Sequence, residues 1–446
     1  MRSARHDEVP VLVVGAGPAG LAAALELARH DVPCLLVERR LAPSAHPRAT
    51  ALSLRSMEIV RAWGLERVVR ERSLDVDWTM LEAETLAGAA AGTAVPVGYP
   101  SVEQSRLISP AAPACIAQDE LEPLLLDRLR ARVELGSELV GLFAGPGGAR
   151  ATLRDAGTGA LRTVHARYVV AADGARSRVR AALGIALAGP DDVMVGSQTL
   201  FRAPLWDVVG DRRHVIYSVT REQAAFVPAG PDRWLFGLRG DTPDDRRAAE
   251  LIRNAAGVRE LPVRIEGIRE FSSAAQLAER WRGGCAFLAG DAAHRVTPRG
   301  GMGLNLALQD GHALGWRLGW VLRGWAEPAL LDSYEAERRP AAEHVAARSA
   351  DPRGSIRTAD QEVHADLGGR IPHAWAGERS TLDLLAPGLT LFAGGDDPVP
   401  EGAAAALAGR APITVRRLDR LTSRAVGAPP GRALLARSDG APVALL

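Results

Sequence analysis

The clearest pattern of apolar and polar residues lies between residues 286 and 318. Four apolar residues, Ala286 to Ala289, predict a buried strand that ends at Gly290 and Asp291. A loop rich in glycine follows from Thr297 to Gly303. Beyond it, leucine recurs at helical spacing, at Leu304, Leu308, Leu314 and Leu318. The segment therefore predicts a strand, a glycine-rich loop and a long helix.

This strand and loop contain the residue types that bind an anionic ring system. The Asp291 carboxylate can accept hydrogen bonds from a polyol, and glycines at 300, 301 and 303 let backbone N–H groups approach a flat ring. The helix that follows directs the positive end of its dipole toward the same place. Reduced flavin is such a ligand, because its negative charge lies at the pyrimidine end of the ring. An ordinary crossover without a ligand is the alternative for this segment taken alone.

A second pattern opens the chain. The run Val9 to Val14 predicts a strand that leads directly into Gly15-Ala16-Gly17-Pro18-Ala19-Gly20, and a helix rich in Ala and Leu follows. A further strand, Cys34 to Val37, ends in Glu38. Strand, glycine turn, helix and acid in this order are the fingerprint of an adenine dinucleotide site, in which the acid binds the ribose hydroxyls. Glu38 also argues against a 2′-phosphate here, because two anions would meet.

Three further positions have both a binding and a structural interpretation. Arg48 lies in a loop before an amphipathic helix and is either a surface charge or a contact to the pyrophosphate. Gln118 begins a helix and is either a dinucleotide contact or a polar helix start. Asp173 and Gly174 follow a strand that ends at Ala172, which again indicates a ligand at the carboxyl end of a sheet.

Residues 190 to 282 differ in texture from what surrounds them. Short alternating segments broken by Gly, Pro and Asp predict a mostly antiparallel sheet with one helix near Arg246 to Asn254. This insertion is the expected substrate domain. Alternation puts about half of its side chains on the inner face, and sequence alone does not say which half. The candidate substrate contacts are Phe201, His214, Tyr217, Phe226, Trp234 and Phe236.

The final third of the chain predicts a continued helix and then a small appended unit. Pro340 is expected to kink or end the helix. From Leu382 onward, strand-like segments flank an Ala-rich helix at residues 402 to 408. The predicted domains are a discontinuous dinucleotide-binding domain at 1–75, 105–188 and 284–345, a substrate domain at 76–104 and 189–283, and a C-terminal unit at 372–446.

Composition narrows the classes of function. The 446 residues have a net charge of +1, which gives no reason to expect a nucleic acid or an anionic membrane as partner. All 54 basic residues are arginine, so every mechanism that needs a catalytic lysine is excluded. The cysteines Cys34, Cys115 and Cys285 have no disulfide or zinc-type spacing and are expected to be core residues. No signal peptide or 18-residue apolar segment is present, so a cytoplasmic location is expected.

Three motifs carry a family resemblance: GAGPAG at 15 to 20, DGARSRVR at 173 to 180 and GDAAHRVTPRGGMGLN at 290 to 305. In this order they resemble the single-component FAD-dependent aromatic hydroxylases with a p-hydroxybenzoate-hydroxylase-like fold. HPRATALSLRSMEIVRAWGL at 46 to 65 and STLDLLAPGLTLFAG at 380 to 394 resemble the branch that tailors polyketides in actinomycetes. The resemblance implies an α/β fold: a Rossmann-like FAD-binding domain, an inserted antiparallel substrate sheet and a C-terminal thioredoxin-like unit. That unit is expected to be incomplete or a brace, because relatives usually continue further.

The resemblance also implies roles for individual residues. Asp173 and Gly174 would lie near both flavin and NAD(P)H. No side chain is expected to act as nucleophile or base, and no metal is expected. The residues implied to hold FAD are Gly15, Gly17, Pro18, Ala19, Glu38, Arg39, Arg48 and Gln118 for the ADP half, Asp291 for the ribityl region, and Pro298, Gly301, Gly303, Leu304 and Asn305 for the ring.

The activity that the resemblance implies is monooxygenation of a polycyclic aromatic, polyketide-type substrate. NADPH or NADH would be a transient reductant, since the sequence has no second GxGxxG, and O₂ would react to give a flavin C4a-hydroperoxide. Hydroxylation and oxygen insertion both stay open, as do a monomer and a homodimer. A flavin-dependent halogenase is disfavoured, because that class of enzyme needs a lysine and usually has a WxWxIP segment, and this sequence has neither. A flavin-binding protein that acts as a non-catalytic partner in a biosynthetic complex is the remaining alternative.

Overall fold

The computed structural model describes residues 7–129, 131–145, 147–395, 397 and 399–446. The chain builds three main sheets. A mixed sheet is formed by both the first and the middle thirds of the chain, a largely antiparallel sheet is inserted into it, and a four-stranded sheet follows at the C-terminus. This architecture confirms the predicted α/β fold with an inserted antiparallel sheet.

The first sheet is parallel at its centre. Neighbouring strands run in the order Arg282–Gly283, Ala286–Leu288, Leu161–Ala171, Asp7–Val14, Cys34–Glu38 and Arg132–Leu135. The inner pairs are parallel, so the predicted motifs at the ends of three strands come to one edge. Two further strands, Ser137–Gly145 and Gly148–Asp155, extend the sheet antiparallel from Leu161–Ala171. At the centre of the sheet, residues 11–14, 34–37 and 169–171 are apolar and buried, as expected for strands covered on both faces.

Two helices pack closely against each other over this sheet. They are Pro18–Arg29 and Gly303–Leu322. Three glycines of the second helix permit the contact, since a Cβ would lie 2.1 Å from the Ala19 oxygen at Gly311, 2.7 Å from the Glu26 Cβ at Gly315 and 2.7 Å from the His30 ring at Gly319. Their four-residue spacing puts all three on one face of the helix. The motif at residues 290 to 305 is thereby held close to the motif at residues 15 to 20.

The inserted sheet has seven strands. In spatial order they are Arg264–Ser273, Met194–Arg202, Arg233–Arg239, Ala224–Pro228, His214–Val219, Asp77–Ala83 and Thr93–Pro96. All pairs are antiparallel except that of His214–Val219 with Asp77–Ala83. The amphipathic helix Asp245–Ala256 covers one face of the sheet and buries Leu251, Ile252 and Ala255. The other face meets the part of the chain that builds the first sheet, through Leu200, Leu235 and Ala117.

The C-terminal unit is a small mixed α/β sheet. Its strands follow the order Ile413–Leu418, Leu389–Gly394, Ala433–Ala436 and Pro442–Leu445, with helices Glu401–Ala408 and Arg420–Ala425. The first pair is parallel and the others are antiparallel. Trp316 and Trp320 of the long helix pack into its apolar core, and the Trp320 indole N–H donates to the Pro387 carbonyl at 2.9 Å. The unit therefore packs on the helix that follows the glycine-rich loop.

The remaining elements are short and connect these layers. Pro340 does not end a helix, contrary to one of its two predicted effects. Helix Ser333–Ala350 continues through it and buries Tyr334 and Val345. Within the described residues, none of the helices combines the length and apolar character that a membrane span requires. The other helices are Leu54–Ala62, Glu66–Arg72, Val102–Arg106, Gln118–Arg128, Arg178–Ala182, Leu205–Val209 and Ala359–Leu367, with 3₁₀ turns at Leu86–Ala91, Gly290–Ala292, Pro328–Asp332 and Thr381–Leu384. Minor sheets pair Leu187–Ala188 and His294–Arg295 with Gln276–Ala278, Ala51–Leu52 with Ala114–Cys115, and Trp375–Ala376 with Arg379–Ser380.

Candidate functional site

The glycine turn after the first strand has two glycines that packing requires and one that faces open space. Gly15 has a φ of +105°, and a Cβ there would lie 2.2 Å from the Ala172 oxygen. A Cβ on Gly20 would lie 1.9 Å from the Gly15 oxygen. A Cβ on Gly17 would meet nothing within 4 Å, and Pro18 begins the helix directly after it. The turn therefore presents backbone and a helix N-terminus to an open cleft.

Glu38 lies at the end of the second strand and lines the same cleft. It is buried, and its carboxylate accepts hydrogen bonds from the backbone N–H groups of Ala16 and Arg40, both at 3.0 Å. Arg40 also lines the cleft, whereas the exposed Arg39 is within electrostatic reach of Glu138. The role implied for Arg39 stays a prediction. The full lining, called the nucleotide cleft below, is Ala16, Gly17, Leu21, Glu38, Arg40, Ala42, Pro43, Glu122, Leu126 and Leu135.

Glu122 lines this cleft, contacts the predicted residue Gln118 and lies within electrostatic reach of the predicted residue Arg48. The Gln118 amide donates to Glu122 Oε1 at 2.7 Å, one helical turn along. Burial raises the pKa of the Glu122 carboxyl, while the nearby Arg40 and Arg48 oppose that rise. Sequence reasoning missed Glu122, although its spacing four residues after Gln118 puts both on one face of the helix. Gln118 and Arg48 are thus brought together through a residue that was not predicted.

Asp291 follows the strand Ala286–Leu288 in a single 3₁₀ turn. It is partly buried, and its carboxylate has no hydrogen bond or ion pair with any residue that the structure describes. Gly290, with a φ of +60°, lets the turn fit between two helices, since a Cβ would lie 3.1 Å from the Cβ atoms of both Ala19 and Ala307. The carboxylate is therefore held close to the first helix with its acceptors free.

A buried polar network supports this turn from behind. The fully buried Asp310 carboxylate accepts from the Gly290 N–H at 3.1 Å, from His294 Nε2 at 2.6 Å and from Arg338 Nε at 2.9 Å. Although burial opposes ionisation, His294 and Arg338 hold the pKa of Asp310 below its usual value. His294 is completely buried, as the prediction of a loop or core role requires. Asp310 thus fixes the position of Gly290 and, with it, the direction of Asp291.

Asp173 and Gly174 lie at the same edge of the sheet. The Asp173 carboxylate accepts from Ser177 Oγ at 2.5 Å and from the Val179 N–H at 3.1 Å, so it caps the start of helix Arg178–Ala182. Gly174 has a φ of +84° and open space around it. Arg180 donates to the carbonyls of Ala175, at 2.9 Å, and Ala292, at 3.0 Å. Arg180 therefore ties this motif to the Asp291 turn.

The loop Thr297–Gly303 is held by Asn305. The Asn305 Oδ1 accepts from the Ser53 N–H at 2.7 Å, and its Nδ2 donates to Ala51, Tyr99 and Gly301 at 3.1 to 3.2 Å. The Tyr99 hydroxyl donates to the same Gly301 carbonyl at 3.0 Å. Both ends of the Asn305 amide are therefore used within the protein. Pro298 is exposed, Gly303 begins the helix and Leu304 is buried.

The predicted substrate contacts fall mostly on the far face of the seven-stranded sheet. Five of them fill a core that this sheet shares with helix Asp245–Ala256, namely Phe201, Tyr217, Phe226, Trp234 and Phe236. His214 is buried beside them and its Nδ1 pairs with Thr79 Oγ1 at 2.8 Å. This packing argues against direct substrate contact by the five aromatic residues. The opposite face, which lies toward His46, has smaller and more polar residues than the far face, including Gln198, Ala225 and Gly237.

The site as a whole fits an adenine dinucleotide with a flavin ring. The turn at Gly17 leaves space where a Cβ would otherwise lie, and Asp291 offers acceptors that no described residue uses. A family model described as "FAD binding domain" matches residues 8–349. The chain belongs to this family.

Curated relatives of this FAD-binding protein match it over most of its chain and most of their own length. The tetracenomycin A2 monooxygenase-dioxygenase of Streptomyces glaucescens is 37% identical, over 87% of this chain and 83% of the relative. The aklavinone 12-hydroxylase DnrF of Streptomyces peucetius is 35% identical, over 88% of this chain and 83% of that protein.

Solved structures agree with these relatives. The complex of aklavinone-11 hydroxylase with FAD and aklavinone is 30% identical, with a TM-score of 0.86, and covers 100% of this chain and 96% of that one. The flavin-dependent monooxygenase PieE, with FAD and substrate, is 26% identical, with a TM-score of 0.88 over 98% of this chain and 96% of that one. This FAD-binding protein is an enzyme of the flavin-dependent monooxygenase type.

Proposed function

We propose that this monooxygenase inserts one oxygen atom of O₂ into a polycyclic aromatic substrate of the polyketide type, with NADPH or NADH as reductant. The names of the relatives support this proposal, because tetracenomycin and aklavinone enzymes are among them. By analogy with the aklavinone hydroxylases, we expect the reaction to be hydroxylation of a ring carbon.

The observation that carries the proposal is the contact between three motifs at one sheet edge. The Gly15 backbone lies against Ala172, which precedes Asp173, and Arg180 after that motif donates to Ala292 at 3.0 Å. Gly290 packs against Ala19 of the first helix. The three motifs are far apart in the chain but form one continuous rim at the carboxyl ends of parallel strands. Ligands bind at this edge in open α/β sheets.

Each part of the rim has a definite task toward FAD. Gly17 and the N-terminus of helix Pro18–Arg29 would bind the diphosphate, and Glu38 would bind the adenosine ribose. Asp291 would accept hydrogen bonds from the ribityl hydroxyls. When bound, FAD supplies the hydride acceptance and the oxygen activation. The chain therefore has to bind, orient and exclude water, and it needs no side chain as nucleophile.

The substrate is expected on the sheet face that looks toward the loop Thr297–Gly303. Trp78 and Tyr99 stack there with ring centroids 5.0 Å apart, and Tyr99 is hydrogen-bonded to the loop. Burial raises the pKa of the Tyr99 hydroxyl, so it stays protonated and donates. Small residues such as Ala225 and Gly237 leave room on this face for a flat ring system.

The test combines flavin content, oxygen uptake and isotope incorporation. The purified protein should contain FAD and should consume O₂ with NADPH faster when a polycyclic phenol or quinone is added. Under ¹⁸O₂ the product should gain one labelled oxygen atom, and its NMR spectrum should separate ring hydroxylation from ring expansion. Protein that holds FAD but oxidises no NADPH or NADH would instead support the non-catalytic partner.

A further inference from the structure

The domain-facing side of the seven-stranded sheet is defined by Gln198, Leu200 and Leu235. Gln198 Oε1 lies 3.3 Å from His46 Nε2, and Leu200 and Leu235 pack with Ala117. His46 and Ala117 belong to the FAD-binding part of the chain. Since side chains alternate along a strand, residues that share parity or register with these three lie on the same side.

Arg239 and Arg269 are among the arginines on this side. Arg269 is the direct cross-strand partner of Gln198, and Arg239 follows Gly237, the partner of Gln198 on the opposite strand, by two residues. Both arginines therefore flank Gln198. A Cβ on Gly237 would meet only the Ala225 oxygen at 3.9 Å, and one on Gly267 would meet nothing within 4 Å. The two cations thus border a hollow surface.

Neither cation has a partner within the described part of the chain. Arg239 and Arg269 make no hydrogen bond, ion pair or ring contact there. Two other arginines of the same sheet are paired: Arg233 lies 2.7 Å from Asp119, and Arg202 lies 2.6 Å from Glu266. Arg239 and Arg269 are exposed and have no such acidic partner among the described residues.

A third arginine, Arg299 of the loop Thr297–Gly303, lies within electrostatic reach of Arg239. Arg299 Nη1 donates to the carbonyls of Ser349, at 3.1 Å, and Ala350, at 3.4 Å, so backbone holds its position. Burial and then the charge of Arg239 lower the pKa of Arg299, and Asp351 opposes them. Asp351 is already paired with Arg357 at 2.6 Å. The facing His46 responds in the same way, since burial and then Arg269 lower its pKa.

Neighbouring cations repel one another, and an anion that binds between them relieves this repulsion. We propose that Arg239, Arg269 and Arg299 form an anion-binding site between the seven-stranded sheet and the Thr297–Gly303 loop. The ligand is an anionic group of a molecule that also carries a flat aromatic ring. It is either a carboxylate of the aromatic substrate, an alternative that rests on the proposed function, or a phosphate of the nicotinamide reductant.

Binding to the FAD-loaded protein tests the site without turnover. The variants are Arg239→Gln, Arg269→Gln and the double variant. The matched control is Arg246→Gln, which removes an exposed arginine on the helix that covers the opposite face. The probes are NADP⁺, a dihydroxyanthraquinone carboxylic acid and its methyl ester, each titrated by the change in flavin absorbance at low and at high salt.

The double variant should bind an anionic probe about tenfold more weakly than the control, and high salt should reduce the difference. Weaker binding of the acid but not of its ester assigns the site to the substrate, and weaker binding of NADP⁺ assigns it to the reductant. Unchanged binding of NADP⁺ and of the acid would overturn the proposal, as would an equal loss for acid and ester without any effect on NADP⁺. Failure to oxygenate any aromatic compound in the isotope assay would count against the proposed function alone.

Discussion

The guanidinium of Arg348 packs directly on the backbone of Gly300, where a Cβ would lie 2.7 Å from its Cζ atom. Arg348 is buried, and it donates to the carbonyls of Val97 and Gly354, both at 2.8 Å. It also pairs with Glu362 at 3.0 Å. The Arg348 side chain thus joins the Thr297–Gly303 loop to the edge of the seven-stranded sheet and to the segment after helix Ser333–Ala350. The shape of the loop depends on this packing.

Gly300→Ala should displace the loop and weaken FAD binding about tenfold or more. The new methyl group would overlap the Arg348 guanidinium, and the φ of +79° is itself unfavourable for alanine by about 1 kcal/mol. The FAD dissociation constant and the melting temperature of the apoprotein measure the two effects separately.

Gly159→Ala is the matched control for that variant. Gly159 has a φ of +71° in an exposed turn, and a Cβ there would meet nothing within 4 Å. It should lose about 1 kcal/mol of stability and keep its FAD affinity. Equal FAD affinity in both variants would show that the Arg348 contact does not shape the site.

Asp291→Ala should leave the fold intact and weaken FAD binding tenfold or more. The carboxylate makes no hydrogen bond or ion pair with any described residue, so its removal should cost the apoprotein little. A hydrogen bond to a charged group contributes about 1.5 to 3 kcal/mol, which is lost when FAD binds to the variant. Asp241→Ala, at an exposed position, is the control. Normal flavin content in Asp291→Ala would mean that the motif has been misplaced.

Asp310→Asn should destabilise the protein by about 3 to 5 kcal/mol, because it leaves the Arg338 charge buried without its carboxylate. The pKa of Asp310 is lower in the folded than in the unfolded chain, so its stabilisation is present above the unfolded value and is lost as pH falls through the folded value. Denaturant unfolding from neutral pH down to and below about pH 4 should therefore show a steeper loss in the wild type than in the variant. Parallel curves would contradict this.

Glu122→Gln should strengthen FAD binding at pH values above the pKa of Glu122. Because burial raises the pKa of Glu122, ionisation at higher pH both costs folding energy and adds a negative charge to the nucleotide cleft. The wild type should therefore lose FAD affinity as pH rises through that pKa, whereas glutamine keeps the contact to Gln118 without the charge. FAD dissociation constants across this pH range measure the difference. A variant with the same pH dependence as the wild type would rule out this role.

The motifs could be predicted because each is a local pattern. The Gly15 to Gly20 turn, Glu38 and the Gly290-Asp291 turn follow strands whose apolar runs are explicit in the sequence. Asp310 and Arg348 could not be found in the same way, since each is defined by partners far along the chain. Glu122 was missed although its partner Gln118 lies only four residues away. Alternation predicted that half of the sheet's side chains face the site, but only packing shows that Phe201 and Trp234 belong to the other half. The prediction that Pro340 ends a helix failed because buried residues before and after the proline, such as Tyr334 and Val345, hold the helix together.

The order of strands in the first sheet has a consequence for synthesis on the ribosome. Strand Ala286–Leu288 pairs with Leu161–Ala171, but the whole seven-stranded sheet, apart from its two earliest strands, is made between them. Until residue 286 emerges, one apolar edge of the central sheet has no neighbour, and until helix Gly303–Leu322 emerges the first helix lacks its cover. The nascent chain therefore carries an open, aggregation-prone half-domain while the inserted sheet folds. The cofactor site comes into existence only in the last third of translation.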